Sequence, residues 1–137
     1  MASHHELLVS FPDAAALGLM LGERRRNHAL EAAAADALGD LLMEARLIPK
    51  EALPVDRVAM NSRVTYEELP GGARRSVVLA YPLDADATEG RISVLSPVGM
   101  SLLGRAPGAV VEPPMPDGRA LRIRVLSLER EALKEAA

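Results

Sequence analysis

The chain has 137 residues, carries 16 basic against 19 acidic side chains for a net charge of −3, and contains no cysteine. That balance argues against strong nonspecific DNA binding, which needs surplus Lys and Arg to neutralise phosphates, and it favours a protein partner; disulfides, zinc ribbons and thiol chemistry are excluded. With one Phe, two Tyr and no Trp, the core must be aliphatic, and stacking platforms for single-stranded nucleic acid lack their rings.

In chain order, Met1 to Glu6 lack the basic start and apolar centre of a signal peptide. No apolar run approaches the ~20 residues of a membrane span, so a soluble cytoplasmic protein with no membrane partner is expected. Composition changes near residue 50 and predicts two parts, a helical piece over 1–49 and a β-rich domain over 50–137. Pro12-Asp13 suits a helix start, and Leu17, Met20 and Leu21 share one face. Gly22 weakens that helix, so 22–27 is expected to be the connecting tip. Asn27 to Leu47 would then form a second, longer helix of ~30 Å at ~1.5 Å per residue. Its stripe is Leu30, Ala34, Leu38, Leu41 and Ala45, and pairing the two stripes as a short antiparallel coiled-coil hairpin keeps both dry. After a linker bracketed by Pro49 and Pro54, Val58, Met60, Ser62, Val64 and Tyr66 alternate as an inward strand face. Pro70-Gly71-Gly72 is a turn, 75–81 a β-branched strand, 84–90 a polar loop and 92–95 a short strand. Ser96 caps a short helix with Pro97 in its first turn. A brief edge strand over 110–112 is confined by prolines. Asp117-Gly118 is a hairpin turn, and in the last strand Leu121, Ile123 and Val125 face in while Arg122 and Arg124 face out. The class is α+β, with one short helix on an antiparallel sheet.

The block Ile92-Ser93-Val94-Leu95-Ser96-Pro97-Val98-Gly99-Met100-Ser101-Leu102-Leu103-Gly104 resembles the C-terminal domain of the Gre transcript-cleavage factors, which is FKBP-like. Val58 to Val64 and Tyr81-Pro82 resemble the Rnk branch (regulators of nucleoside diphosphate kinase), and the similarity covers about 54–130. It implies a non-enzymatic transcription regulator that docks on RNA polymerase, on the β′ subunit at the rim of the secondary channel. The implied binding residues are Ser96 and Pro97, with Leu95 and Val98 beside them. Gre factors usually place an acid before the Ser-Pro; here Leu95 stands there, as in Rnk-like chains.

Gre factors also resemble a probe whose acidic hairpin tip helps hold a catalytic Mg²⁺, an ion that needs oxygen ligands. The tip here offers Glu23 followed by Arg24, Arg25 and Arg26, which repel a cation. Occupancy of the channel without transcript cleavage, in competition with Gre-type factors, is therefore expected, with no cofactor and no metal. The basic tip is open to two readings, contact with acidic protein or phosphate, or a solvated turn. His4, His5 and His28 have no ligand spacing. Arg74, Arg75, Arg119, Arg122 and Arg124 form either a solvated sheet face or a weak nucleic-acid contact. Met20, Met43, Met60, Met100 and Met115 read as filler or adaptable surface. Two other functions stay open: a prolyl isomerase or chaperone-like domain, and a module that self-associates through Leu30, Leu38 and Leu41. A monomer is the default.

Overall fold

The computed structural model describes residues 6–27 and 32–130. Strand β1 (Leu8–Ser10) runs directly into helix α1 (Phe11–Asn27). The Ser10 hydroxyl accepts from the Asp13 N–H at 3.3 Å, the bond that a cap makes three residues ahead, and Pro12 occupies the first turn, where its missing N–H costs nothing.

The helix does not end at Gly22. It continues to Asn27, so Glu23 to Arg26 are its last turns and not the connector. A glycine costs ~1 kcal/mol in a helix interior, and the burial of Leu17 and Leu21 in the core outweighs that. Glu and Arg then extend the helix readily. His28 to Glu31, and with them Leu30, lie outside the described residues. Helix α2 (Ala32–Glu44) is 13 residues against 17 for α1, the reverse of the expected order of lengths. It buries Ala35 and Leu38 and packs Ala34, Leu41 and Ala45 against the same core.

Strand β2 (Arg46–Ile48) follows and pairs in parallel with β1, Leu8 opposite Arg46 and Ser10 opposite Ile48. The remaining strands are β3 (Arg63–Leu69), β4 (Arg74–Ala80), β5 (Arg91–Ser93), β6 (Val110–Val111) and β7 (Arg122–Glu129), with helix α3 (Pro97–Leu102) between β5 and β6. They form one sheet in the order β5-β4-β3-β7-β6. The sheet is mixed and not purely antiparallel, because β4 and β5 pair in parallel with Ala80 opposite Ser93. Between them two short 3₁₀ turns, Pro82–Asp84 and Ala87–Glu89, carry the chain back to the start of the sheet edge.

Val58, Met60, Ser62, Val64 and Tyr66 are all buried, as their alternation predicts, yet the strand begins only at Arg63. Asn61 has φ +69, a left-handed backbone that breaks the ladder. Its N–H donates to Leu79 O at 2.7 Å, and Leu79 N–H donates to Ser62 O at 2.9 Å. The arginines of β7 face out, and Ile123 and Val125 are fully buried.

One buried cluster holds Val9, Leu17, Leu21 and Leu38 together with Val64, Leu79, Val94, Leu102, Ile123 and Val125. Polar staples reinforce it. The Asp13 carboxylate accepts from Met60 N–H at 3.1 Å. The buried Arg57 guanidinium donates to Glu6 O at 2.6 Å and Gly104 O at 3.2 Å. Gly104 has φ +79, and a Cβ there would lie 3.2 Å from Leu8 O.

Candidate docking site

The Ser-Pro turn is assembled by Ser93. Its carbonyl accepts from Ser96 N–H at 3.0 Å and from the Ser96 hydroxyl at 2.6 Å, and its own hydroxyl accepts from Leu95 N–H at 3.0 Å. Ser96 Oγ in turn accepts from Gly99 N–H at 3.1 Å, which caps α3, and Ser96 O accepts from Met100 N–H at 2.9 Å. The Ser96 hydroxyl thus donates once and accepts once inside the turn. Pro97 follows in the first position of α3, where it fixes φ without wasting a donor.

Gly99 makes the turn possible. A Cβ at that position would sit 2.1 Å from the Ser93 carbonyl oxygen and 2.9 Å from Ser96 Oγ, closer than any non-bonded pair tolerates. Gly99 is not among the site residues expected from the sequence; its signal there is a glycine three residues after a capping serine.

The four candidate residues of this turn are not equivalent. Leu95 is 8% exposed and belongs to the core; it supports the turn from behind. Ser96, Pro97 and Val98 are partly exposed. The Ser96 hydroxyl is spent on bonds within the turn, and the Pro97 ring and Val98 are the apolar side chains left partly exposed on it.

The tip residues lie elsewhere. Glu23 is exposed on the last turns of α1. The side chains of Arg24, Arg25 and Arg26 lie outside the described residues. Among the described residues no group of three His, Cys, Asp or Glu side chains could hold a metal ion.

The outward arginines are mostly engaged. Arg75 meets Glu68 at 2.7 Å, Arg124 meets Glu67 at 2.9 Å, Arg122 lies 3.3 Å from Glu112 and Arg119 lies 3.9 Å from Asp117. This turns an apparently basic face into a mixed one, with little net pull on phosphate. Of the three aromatic rings, Tyr66 is buried in the core and Phe11 is exposed at the start of α1. The open hollows of about 560 Å³ beside Leu53 and Arg130 and about 360 Å³ beside Arg75 and Arg119 contain no ring. Burial pushes the Tyr81 hydroxyl up to about 12, and the Asp13 charge adds to the shift. Hydrogen bonds from Thr88 hold the Asp86 carboxyl below its ordinary value.

Residues 53–130, which include the whole Ser-Pro turn, match the family model of the transcription elongation factor GreA/GreB C-terminal domain. This chain belongs to the GreA/GreB family. The Gre-family chain is 39% identical over 95 residues to the regulator of nucleoside diphosphate kinase of Escherichia coli K12, covering 69% of this chain and 70% of that protein. It is 34% identical over 94 residues to transcription elongation factor GreA of Flavobacterium johnsoniae, covering 69% and 59%. Among solved structures it is similar to a prokaryotic transcription elongation factor GreA/GreB from Nitrosomonas europaea, with TM-score 0.73 and 32% identity over 90% of this chain and 98% of that one. These relatives are named as transcription factors and a regulator, not as enzymes. Among the described residues of the Gre-family chain, no helix is long and apolar enough to cross a membrane.

Proposed function

We propose that this chain is a transcription regulator that binds RNA polymerase at the rim of the secondary channel, on the β′ subunit, and does not stimulate transcript cleavage. Residues 50–137 act as the docking domain and 1–49 as the arm that points into the channel. The observation that carries this reading is the Ser93–Gly99 turn, built bond by bond to present Pro97 and Val98, inside a domain of the GreA/GreB family. The end of α1 supplies the second half: one acid, Glu23, against three consecutive arginines, a charge pattern unsuited to Mg²⁺. Occupancy then competes with cleavage-stimulating Gre factors for one site.

A pull-down with core RNA polymerase tests the docking. The wild-type chain is expected to co-purify and the Ser96→Asp, Pro97→Ala double variant to be lost from the complex. A cleavage assay on stalled elongation complexes tests the arm: the chain alone should leave transcripts intact and should inhibit an added cleavage factor. Stimulated cleavage would contradict the reading. Self-association through Leu38 and Leu41 is not favoured, because both pack into the chain's own core.

A further inference from the structure

Parallel pairing has a geometric consequence at the sheet edge. Two parallel strands end at the same side, so the segments leaving them emerge together. Ala80 of β4 lies opposite Ser93 of β5, and Val94 N–H donates to Ala80 O at 2.9 Å. Tyr81-Pro82-Leu83 therefore leaves β4 at the same end where Leu95-Ser96-Pro97-Val98 leaves β5. The Pro82–Asp84 turn packs on β5, and α3 packs on both β4 and β5.

The two segments differ in how their apolar groups are held. Leu95 is in the core, whereas Leu83 is 92% exposed, the most exposed of the large hydrophobic side chains named among the described residues. Its backbone is held by the turn: Asp84 N–H donates to Tyr81 O at 2.9 Å and Ala85 N–H donates to Pro82 O at 3.3 Å. Proline on one side and these bonds on the other pre-organise a leucine pointing away from its own protein, so little ordering entropy is left to lose on binding. Asp84 stands exposed beside it.

We infer that Leu83 is the apolar anchor of the docking surface, completing with Pro97 and Val98 a single two-turn face that seats on RNA polymerase. This rests on the reading of the Ser-Pro turn as the polymerase-docking site. The acid beside the leucine specifies the seat: an apolar hollow bordered by Lys or Arg. Fully burying the leucine side chain takes its apolar surface out of water, which is worth about tenfold or more in affinity.

The test measures affinity of the full chain for core RNA polymerase by titration, with Leu83→Ser, Pro97→Ala and Val55→Ser beside wild type. Val55 is also strongly exposed, at 82%, but lines the hollow beside Leu128 and Arg130, at β7, three strands from β5 across the sheet. Leu83→Ser is expected to weaken binding by about tenfold or more with an unchanged melting temperature, while Val55→Ser binds as wild type. Equal losses for Leu83→Ser and Val55→Ser, or full affinity of Leu83→Ser with Pro97→Ala impaired, overturn the anchor and leave the docking reading standing. No binding by wild type overturns both.

Discussion

At Gly99 one methyl group decides whether the Ser-Pro turn exists. The pro-chiral hydrogen there faces Ser93 O at a distance that a Cβ would shorten to 2.1 Å, and the obstacle is backbone, which cannot rotate away. Gly99→Ala should cost on the order of 3 kcal/mol, as overpacking against a fixed carbonyl does, read as a lower urea midpoint at unchanged slope. Ser96→Ala removes the cap bond from Gly99 N–H and the hydroxyl's bond to Ser93 O and should cost about 1–2 kcal/mol. If Gly99→Ala proved as stable as wild type, the turn could not have the form described. Tyr81 supplies a different residue-scale signature. Its pKa rises from 10.0 to about 12 in the folded chain, so between those values the unfolded chain has released the proton and the folded chain retains it. The unfolded state binds fewer protons there, and stability falls as pH climbs from 10 to 12. The loss is at most about 2 kcal/mol, reduced by the solvent that reaches a half-buried ring. Tyr81→Phe should flatten this alkaline limb, leaving the smaller part due to Tyr66, whose pKa burial also raises. An unchanged limb in denaturant titrations at pH 9 to 12 would remove Tyr81 as its source.

At the scale of elements, α1 shows where tertiary packing outvotes local preference. Gly22 has nothing within 4 Å of a would-be Cβ and lies inside a continuous helix. Gly22→Ala should therefore stabilise the chain by about 0.5–1 kcal/mol, raising the thermal midpoint; a destabilisation would mean that the helix breaks there. The element pattern explains what could be read from residues alone. The last strand was legible because Ile123 and Val125 alternate with Arg122 and Arg124, a period that only a sheet with one wet face satisfies. The Ser96-Pro97 helix was legible because cap chemistry is local. The parallel pair β1–β2 was not, since three-residue strands carry no measurable period and exist because chain segments 38 residues apart in register, Ser10 and Ile48, are brought together by the core. The parallel β4–β5 pairing was hidden for the same reason. A strand of three residues states its direction only through its neighbour, so the sheet was expected to be antiparallel throughout. At the candidate docking site the Ser-Pro block was readable, while its split into a buried Leu95 and a partly exposed Pro97 and Val98 depended on which way each side chain faces.

At the scale of the whole molecule, the helices and the sheet are built around shared buried residues. Leu17, Leu21 and Leu38 belong to the same cluster as Leu79, Leu102 and Ile123, and Asp13 and Arg57 bond across the two parts. An arm joined only by a linker would melt by itself, whereas an arm that supplies part of the core cannot leave without exposing the sheet's inner face. Helix content followed at 222 nm and the tyrosine fluorescence of Tyr66 and Tyr81 should accordingly report a single coincident urea transition. Asp13→Ala leaves the Met60 N–H without its acceptor, a loss of about 1–2 kcal/mol for a part-buried donor, and should move both signals to lower urea together. An early loss of the helical signal with the tyrosine signal in place would separate the arm from the domain and make its aim depend on the linker. A shared shift means that the direction of the helices is set by the same contacts that fold the sheet.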